Sequence, residues 1–364
     1  MLKRRDILGL ALLAPWLSGC GGGGGGSEQP IPTPIKADDW ATDTPGNHGI
    51  AAATMQALLD EGASHPFLYS LLVVRNGLLI GERYYHGAQS SDLRSVASIT
   101  KTVGSILIGQ AIADGKIAST GDTLAKLLPG ELAKTPNPYA AAITLQQVLD
   151  MTGGQQWDEG SRQLDATNSP DMTAFALGLP AGSHGKSFNY STAAAHLVSP
   201  ILHNAYGVDE LAVATNRLFA PLGIKQSAWS RDATGMVHGS FGLQLRTRDL
   251  MKIGLMALQG GKWQGANVVA AAWISKCLAP TVNGLPQDGP IVNHGYGNLW
   301  WSGVIAGLEI HLAAGFGGQF AMLVPELNLV LATAAELNVS YSTAGAQQLA
   351  ILNTLARFLQ ALKG

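Results

Sequence analysis

A serine and a lysine three residues apart, Ser98-Ile99-Thr100-Lys101, open an apolar stretch of helical spacing. Residues three apart share one helix face, so a serine in the first turn can meet a lysine one turn on. Backbone N–H groups at a helix start are unpaired and can stabilise a developing oxyanion. A lysine held in an apolar site favours its neutral form and can accept a proton. Together these parts describe a serine nucleophile activated without histidine. The spacing alone fits a helix cap beside a solvated lysine equally well. A second copy, Ser183-His184-Gly185-Lys186, contains glycine and follows Pro180, so it reads as a solvated turn.

Histidine chemistry has less support. No Gly-x-Ser-x-Gly elbow is present, which argues against an α/β-hydrolase. C-x-x-C and H-E-x-x-H are absent, so no zinc signature is visible, and acyl transfer to serine calls for no metal or organic cofactor. His238, His294 and His311 read as surface or core residues. Trp157, Trp300 and Trp301 could wall a pocket for apolar acyl groups.

These residues need a frame. The spacing predicts a helix over 51–62, a hairpin over 70–85 turning at Asn76-Gly77, and a helix over 100–113 ended by Asp114-Gly115. From 122 to 250 the pattern is helix and loop, with helices at 144–151, 211–218 and 248–259 and no alternating strands. Strand character returns at 296–301, 320–324 and 327–333, the last two forming a hairpin around Pro325-Glu326. A helix over 344–362 closes the chain, with Leu349, Leu352, Leu355 and Leu359 as its buried stripe. Tight hairpins imply an antiparallel sheet. The fold class is therefore α/β of the α+β kind: an antiparallel sheet flanked by helices, with an inserted, mainly helical subdomain at about 122–250.

The chain has 364 residues, 46% of them hydrophobic, enough for one large domain or two packed lobes. Only 13% are charged and the net charge is -2, so no basic face calls for nucleic acid. Lys3, Arg4 and Arg5 precede a short apolar stretch, 7–17, as in a signal peptide over 1–19. Leu17-Ser18-Gly19-Cys20 resembles a bacterial lipoprotein cleavage box, which would leave Cys20 lipidated. The Gly and Pro-rich segment 20–45 would be a flexible tether to a domain over 46–364. That places the protein on the membrane of a bacterial cell envelope through a lipid anchor, facing the periplasm or exterior. With Cys20 modified, Cys277 has no disulfide partner.

Six stretches occur in an order that resembles the serine β-lactamase and penicillin-binding superfamily, most of all its class C-like esterase and nylon-oligomer (aminohexanoate) hydrolase branch. They are LLVVRNGLLIGERYY, SVASITKTVGSILIG, ITLQQVLDMTGG, SFNYST, LFAPLGI and AAGFGGQFAMLVPELNLVLATAA. The resemblance implies a β-lactamase/transpeptidase-like fold and makes Ser98 the nucleophile with Lys101 beside it. It matches the family's Tyr-x-Asn to Tyr190-Ser191-Thr192, keeping Tyr190 as a proton relay and replacing asparagine by Thr192. It matches the Lys-Thr-Gly strand to Ala313-Ala314-Gly315, which lacks the cation that binds a substrate carboxylate. Ser98 and Phe316 would then supply the oxyanion N–H groups, with Gly315 letting backbone approach the substrate. Both altered positions point away from β-lactams, toward a small-molecule ester or linear amide. The remaining readings are a β-lactamase or D-Ala-directed peptidase, and a non-catalytic envelope binding protein. The sequence leaves the oligomeric state open.

Overall fold

The computed structural model describes residues 40–183 and 185–363. The expected leader, Cys20 and the tether up to residue 39 lie outside those residues. An eight-stranded sheet forms the frame. In chain order its strands are β1 (Leu68–Arg75), β2 (Leu78–Tyr84), β3 (Val282–Leu285), β4 (Val292–Gly297), β5 (Trp300–Ile305), β6 (Leu308–Gly315), β7 (Gln319–Val324) and β8 (Leu329–Ala335). The spatial order is β2-β1-β8-β7-β6-β5-β4-β3, and every pairing is antiparallel. The first hairpin turns where expected. Asn76 and Gly77 both take positive φ, 54° and 82°, as a type I′ turn requires.

The central strands are apolar without a break because both faces of the sheet are covered. Along β1, Leu71 and Val73 point into one core and Leu72 and Val74 into the other. The same alternation runs through β7, with Phe320 and Met322 on one side and Ala321 and Leu323 on the other. Helices α1 (Ala52–Ala63) and the C-terminal helix (Tyr341–Ala361) pack on each other and cover the first face. The helix Thr247–Leu258 covers the second face against β7 and β8, alongside α2 (Ile99–Ala113). Between α2 and Thr247 the regular structure is mostly helical, and one core runs from these helices to the sheet.

Three details differ from the sequence reading. The aromatic run expected as one strand is two, β4 and β5, joined at Asn298 and Leu299 with φ of 50° and 64°. A leucine at positive φ gives no turn signal. Here tertiary bonds hold it: Leu299 N–H donates to the Leu149 carbonyl at 2.9 Å, and Asn298 N–H to Asp150 Oδ1 at 2.9 Å. The helical stretch contains short strands, Ala228–Trp229 and Leu243–Leu245, too brief to show alternation. They form a small sheet with Arg94–Ser95. Leu349 is 44% exposed rather than buried. At 100° per residue it stands about 120° around the helix from Leu355, while Ile351 and Phe358 fall on the buried side.

Candidate active site

Helix α2 is buried almost throughout, from Ile99 to Ala111, so its start is held by the core rather than by a side-chain cap. Ala97 enters it with φ 48°. A non-glycine residue in that region costs energy and persists only where its surroundings impose it. They do so here. Val96 N–H donates to the Leu243 carbonyl at 2.9 Å, and Thr100 Oγ1 donates to the Ala97 carbonyl at 2.7 Å. The small sheet and the helix thus clamp the turn that ends in Ser98.

Lys101 lies one turn on and is 1% exposed. Its Nζ stands 2.9 Å from Ser98 Oγ, 2.9 Å from the Ser240 carbonyl oxygen and 3.2 Å from Thr192 Oγ1. Those three contacts account for all three ammonium protons. Burial pushes the lysine down to about 8, and the Glu159 carboxylate opposes the shift. A group poised there is charged and neutral in comparable amounts at mildly alkaline pH.

Tyr190 faces Ser98 from the other side, with its hydroxyl hydrogen-bonded to the serine side chain. Burial, and then the Glu159 charge, hold this phenol protonated far above its ordinary range. Its ring stacks on Trp301 at 5.6 Å, and Trp301 stacks on His294 at 4.8 Å. Two residues on, Thr192 starts the short helix Thr192–His196, which Ser191 caps by accepting from Ala194 N–H at 3.0 Å. Glu159 sits in the first turn of the helix Glu159–Thr167, where the macrodipole favours a carboxylate. It accepts from Thr192 Oγ1 at 2.5 Å through Oε1, and from Thr192 N–H at 2.8 Å and Trp157 Nε1 at 2.7 Å through Oε2.

The opposite wall is the end of β6. Gly315 pairs with Gln319 across the turn Phe316-Gly317-Gly318. A β-carbon on Gly315 would stand 2.4 Å from the Val96 carbonyl oxygen, so only glycine lets this strand run beside the nucleophile's turn. A cavity of about 240 Å³ opens between these parts, lined by Ser98, Glu159, Tyr190, Trp301, Gly315 and Phe316 among others. Asp288 and Tyr341 also line it, and no Lys or Arg is among its described lining residues. Ala313 is buried in the core and Ala314 lines the cavity, so neither brings a cation.

A family model described as Beta-lactamase matches residues 51–356. The chain belongs to the beta-lactamase family. It is 24% identical over 309 residues to the 6-aminohexanoate-dimer hydrolase of Paenarthrobacter ureafaciens, a match covering 77% of this chain and 76% of that one. Its fold is similar to that of a D-stereospecific amidohydrolase from a Streptomyces species, with a TM-score of 0.61 and 20% identity over 82% of this chain and 97% of the other. EstCE1, a hydrolase with promiscuous acyltransferase activity, is similar with a TM-score of 0.62 and 15% identity, over 85% of this chain and 98% of that one.

Within this beta-lactamase family member the structure brings together Ser98, Lys101, Tyr190, Thr192, Gly315 and Phe316. The second Ser-x-x-Lys pattern stands apart. Ser183 is exposed, and Lys186 Nζ donates to Gln147 Oε1 at 3.2 Å. Of the tryptophans, Trp301 lines the cavity, Trp157 anchors Glu159, and Trp300 belongs to the core. His238, His294 and His311 are all buried, and His294 also reaches the cavity. Cys277 is buried and free. Among the described residues no cluster of His, Cys, Asp or Glu could hold a metal ion, and no helix is long and apolar enough to cross a membrane. Sequence reasoning did not find Glu159, Ser240, Asp288 or Tyr341. Only Glu159 left a trace: an Asp158-Glu159 helix start two residues after Trp157.

Proposed function

We propose that this chain is a serine hydrolase that works through an acyl-enzyme on small esters or linear amides. The observation that carries the reading is the 2.9 Å contact between Ser98 Oγ and the amine of a lysine that burial brings down to about 8. Lys101 takes the proton of Ser98 as Oγ attacks the carbonyl carbon. The carbonyl oxygen becomes an oxyanion held by the N–H groups of Ser98 and Phe316. Neither N–H enters a turn or cap hydrogen bond among the described residues, which supports that role. Tyr190, kept protonated, passes a proton to the leaving oxygen or nitrogen as its bond to the acyl carbon breaks. Water then attacks the acyl-enzyme by the reverse path and frees Ser98.

The cavity supports an acyl group that carries no negative charge. Its aromatic wall suits apolar groups, and two lining carboxylates, with no Lys or Arg among the described lining residues, disfavour a substrate carboxylate. The similarity to a 6-aminohexanoate-dimer hydrolase separately supports a linear amide as the bond broken. Penicillins carry a carboxylate, so the account expects poor penicillin acylation. Parallel labelling with a fluorophosphonate and a fluorescent penicillin, each against Ser98→Ala, tests this. Fluorophosphonate labelling dependent on Ser98 supports the reading. Penicillin labelling with slow release would replace it by a peptidase, and no labelling by either would remove the hydrolase.

The cellular place is a separate proposal, resting on the sequence around Cys20. The protein is exported, lipidated on Cys20 and tethered to the envelope membrane by a flexible segment.

A further inference from the structure

We propose that Glu159, acting through the Thr192 hydroxyl, fixes the direction in which the Lys101 amine points its lone pair, and so positions it to take the proton of Ser98. The inference rests on the acyl-transfer reading and follows from counting protons around Lys101.

Neutral lysine has two N–H bonds and one lone pair, against three neighbours at hydrogen-bond distance. The Ser240 carbonyl oxygen can only accept. The Thr192 hydroxyl could give or accept, but its proton is committed. It lies 2.5 Å from Glu159 Oε1, and a carboxylate can only accept. Thr192 Oγ1 therefore offers Lys101 lone pairs alone. That leaves Ser98 Oγ–H as the one neighbour with a proton to give, so the amine's lone pair must face it. Tyr190 completes the set, its hydroxyl hydrogen-bonded to the Ser98 side chain. Nothing is exchanged with Glu159 during this step. It acts by orientation and by charge.

Glu159 is itself held so that it cannot turn away. Oε2 receives two N–H donors, Thr192 N–H and Trp157 Nε1. This makes Glu159→Gln an informative near-isostere. An amide nitrogen cannot sit against two N–H groups, so the amide oxygen takes the place of Oε2. Its NH₂ then faces Thr192 Oγ1 and occupies a lone pair there. The Thr192 proton is released toward Lys101 and competes with Ser98 for the amine. The titratable and charged groups facing this pair are Tyr190, Tyr296 and Tyr341, Asp288 and His294 across the cavity, and Asp158 and Arg162 near Glu159's own helix. The Gln change removes a charge that helps raise the Tyr190, Tyr296 and Tyr341 phenols, but burial, the larger cause, still holds all three above their ordinary range.

The test is the pH dependence of the fluorophosphonate labelling rate, a phosphonylation of Ser98 with loss of fluoride, and of kcat and KM for a short nitrophenyl ester, on the purified full chain. A general base of this kind is worth about 10² to 10⁴ in rate. Glu159→Gln and Thr192→Val are expected to lower the acylation rate and kcat by about 10-fold or more while KM stays within about threefold, since orientation of the base is lost and not substrate contact. Thr192→Ser keeps the hydroxyl and is expected to stay within about threefold of the parent. In Glu159→Gln the midpoint of the rising pH limb moves to lower pH, because the carboxylate that favours charged Lys101 is gone. That shift follows from charge alone, whereas a merely structural role would not separate Thr192→Val from Thr192→Ser in kcat at constant KM. If Glu159→Gln melts near the parent temperature and reacts at the parent rate on the alkaline plateau, the proposal is wrong. If Glu159→Gln fails to fold, equal rates for Thr192→Val and Thr192→Ser overturn it by themselves. Absence of labelling in the parent chain would instead remove the hydrolase reading on which the proposal rests.

Discussion

Gly315 on β6 runs so close to Val96 that a β-carbon there would meet the Val96 carbonyl oxygen at 2.4 Å and the Ala97 side chain at 3.1 Å. The strand that supplies Phe316 and the turn that supplies Ser98 are therefore one packed unit. Gly315→Ala must push them apart. Overpacking of this kind costs about 1–3 kcal/mol. The expected result is a lower melting temperature together with acylation slowed by about 10-fold or more, since an oxyanion donor would be displaced. Melting curves and fluorophosphonate kinetics on the variant check both.

Lys101 sets a pH dependence with a definite sign. Its proton affinity is lowered to about 8 by burial, so the amine is charged below that value and free above it. Acylation should rise through about pH 8 and level off above, and Lys101→Arg should abolish it, because a guanidinium stays protonated. The same shift touches stability. Between about 8 and the lysine's ordinary 10.5 the unfolded chain holds the proton that the folded chain has lost, so stability from this group grows as pH rises through that window. A rate profile flat from pH 6 to 10 would contradict this assignment.

Tyr190→Phe keeps the ring that stacks on Trp301 at 5.6 Å and removes only the hydroxyl facing Ser98. The melting temperature should hardly change. Turnover of esters should fall by about 10² or more, and amides should suffer more, because an amine leaves only once protonated. Comparison of kcat for an ester and an amide with the same acyl group measures this.

Much of the frame was legible, and the reasons are local. The hairpin at Asn76-Gly77 and the helix after Ser98 follow from turn chemistry and apolar spacing. The ordered family segments reached further, to Tyr190, Thr192 and Phe316, which no local rule joins to Ser98. The β4–β5 turn was hidden because Asn298 and Leu299 are held by Asp150 and Leu149, far away in sequence. Glu159 was hidden for the same reason. Its meaning lies in contacts with Thr192 and Trp157, and a carboxylate at a helix start ordinarily does no more than complement the dipole.

Glu210 offers a stability test outside the reacting groups. It is fully buried beside Gly104 of α2, and burial pushes its carboxyl up to about 8. A raised carboxyl favours the folded state only while protonated, so its contribution is lost as pH rises from the ordinary 4.5 to about 8. Glu210→Gln removes that loss. The variant should melt higher than the parent at pH 9, by about 2 °C or more, and differ little near pH 4.5. Calorimetry at the two pH values decides it.

Anchoring is tested at one residue. Wild-type chain expressed in a bacterial host should fractionate with membranes and carry lipid, while Cys20→Ala should be released or left unprocessed. Unchanged processing and membrane association in Cys20→Ala would refute the anchor.

The central claim is that Ser98 forms the acyl-enzyme. Intact mass and peptide mapping after fluorophosphonate treatment address it most directly. The account predicts one adduct per chain, located on Ser98, lost in Ser98→Ala and slowed at pH 6 relative to pH 9. An adduct that survives Ser98→Ala, or no adduct at any pH on the folded protein, would contradict it.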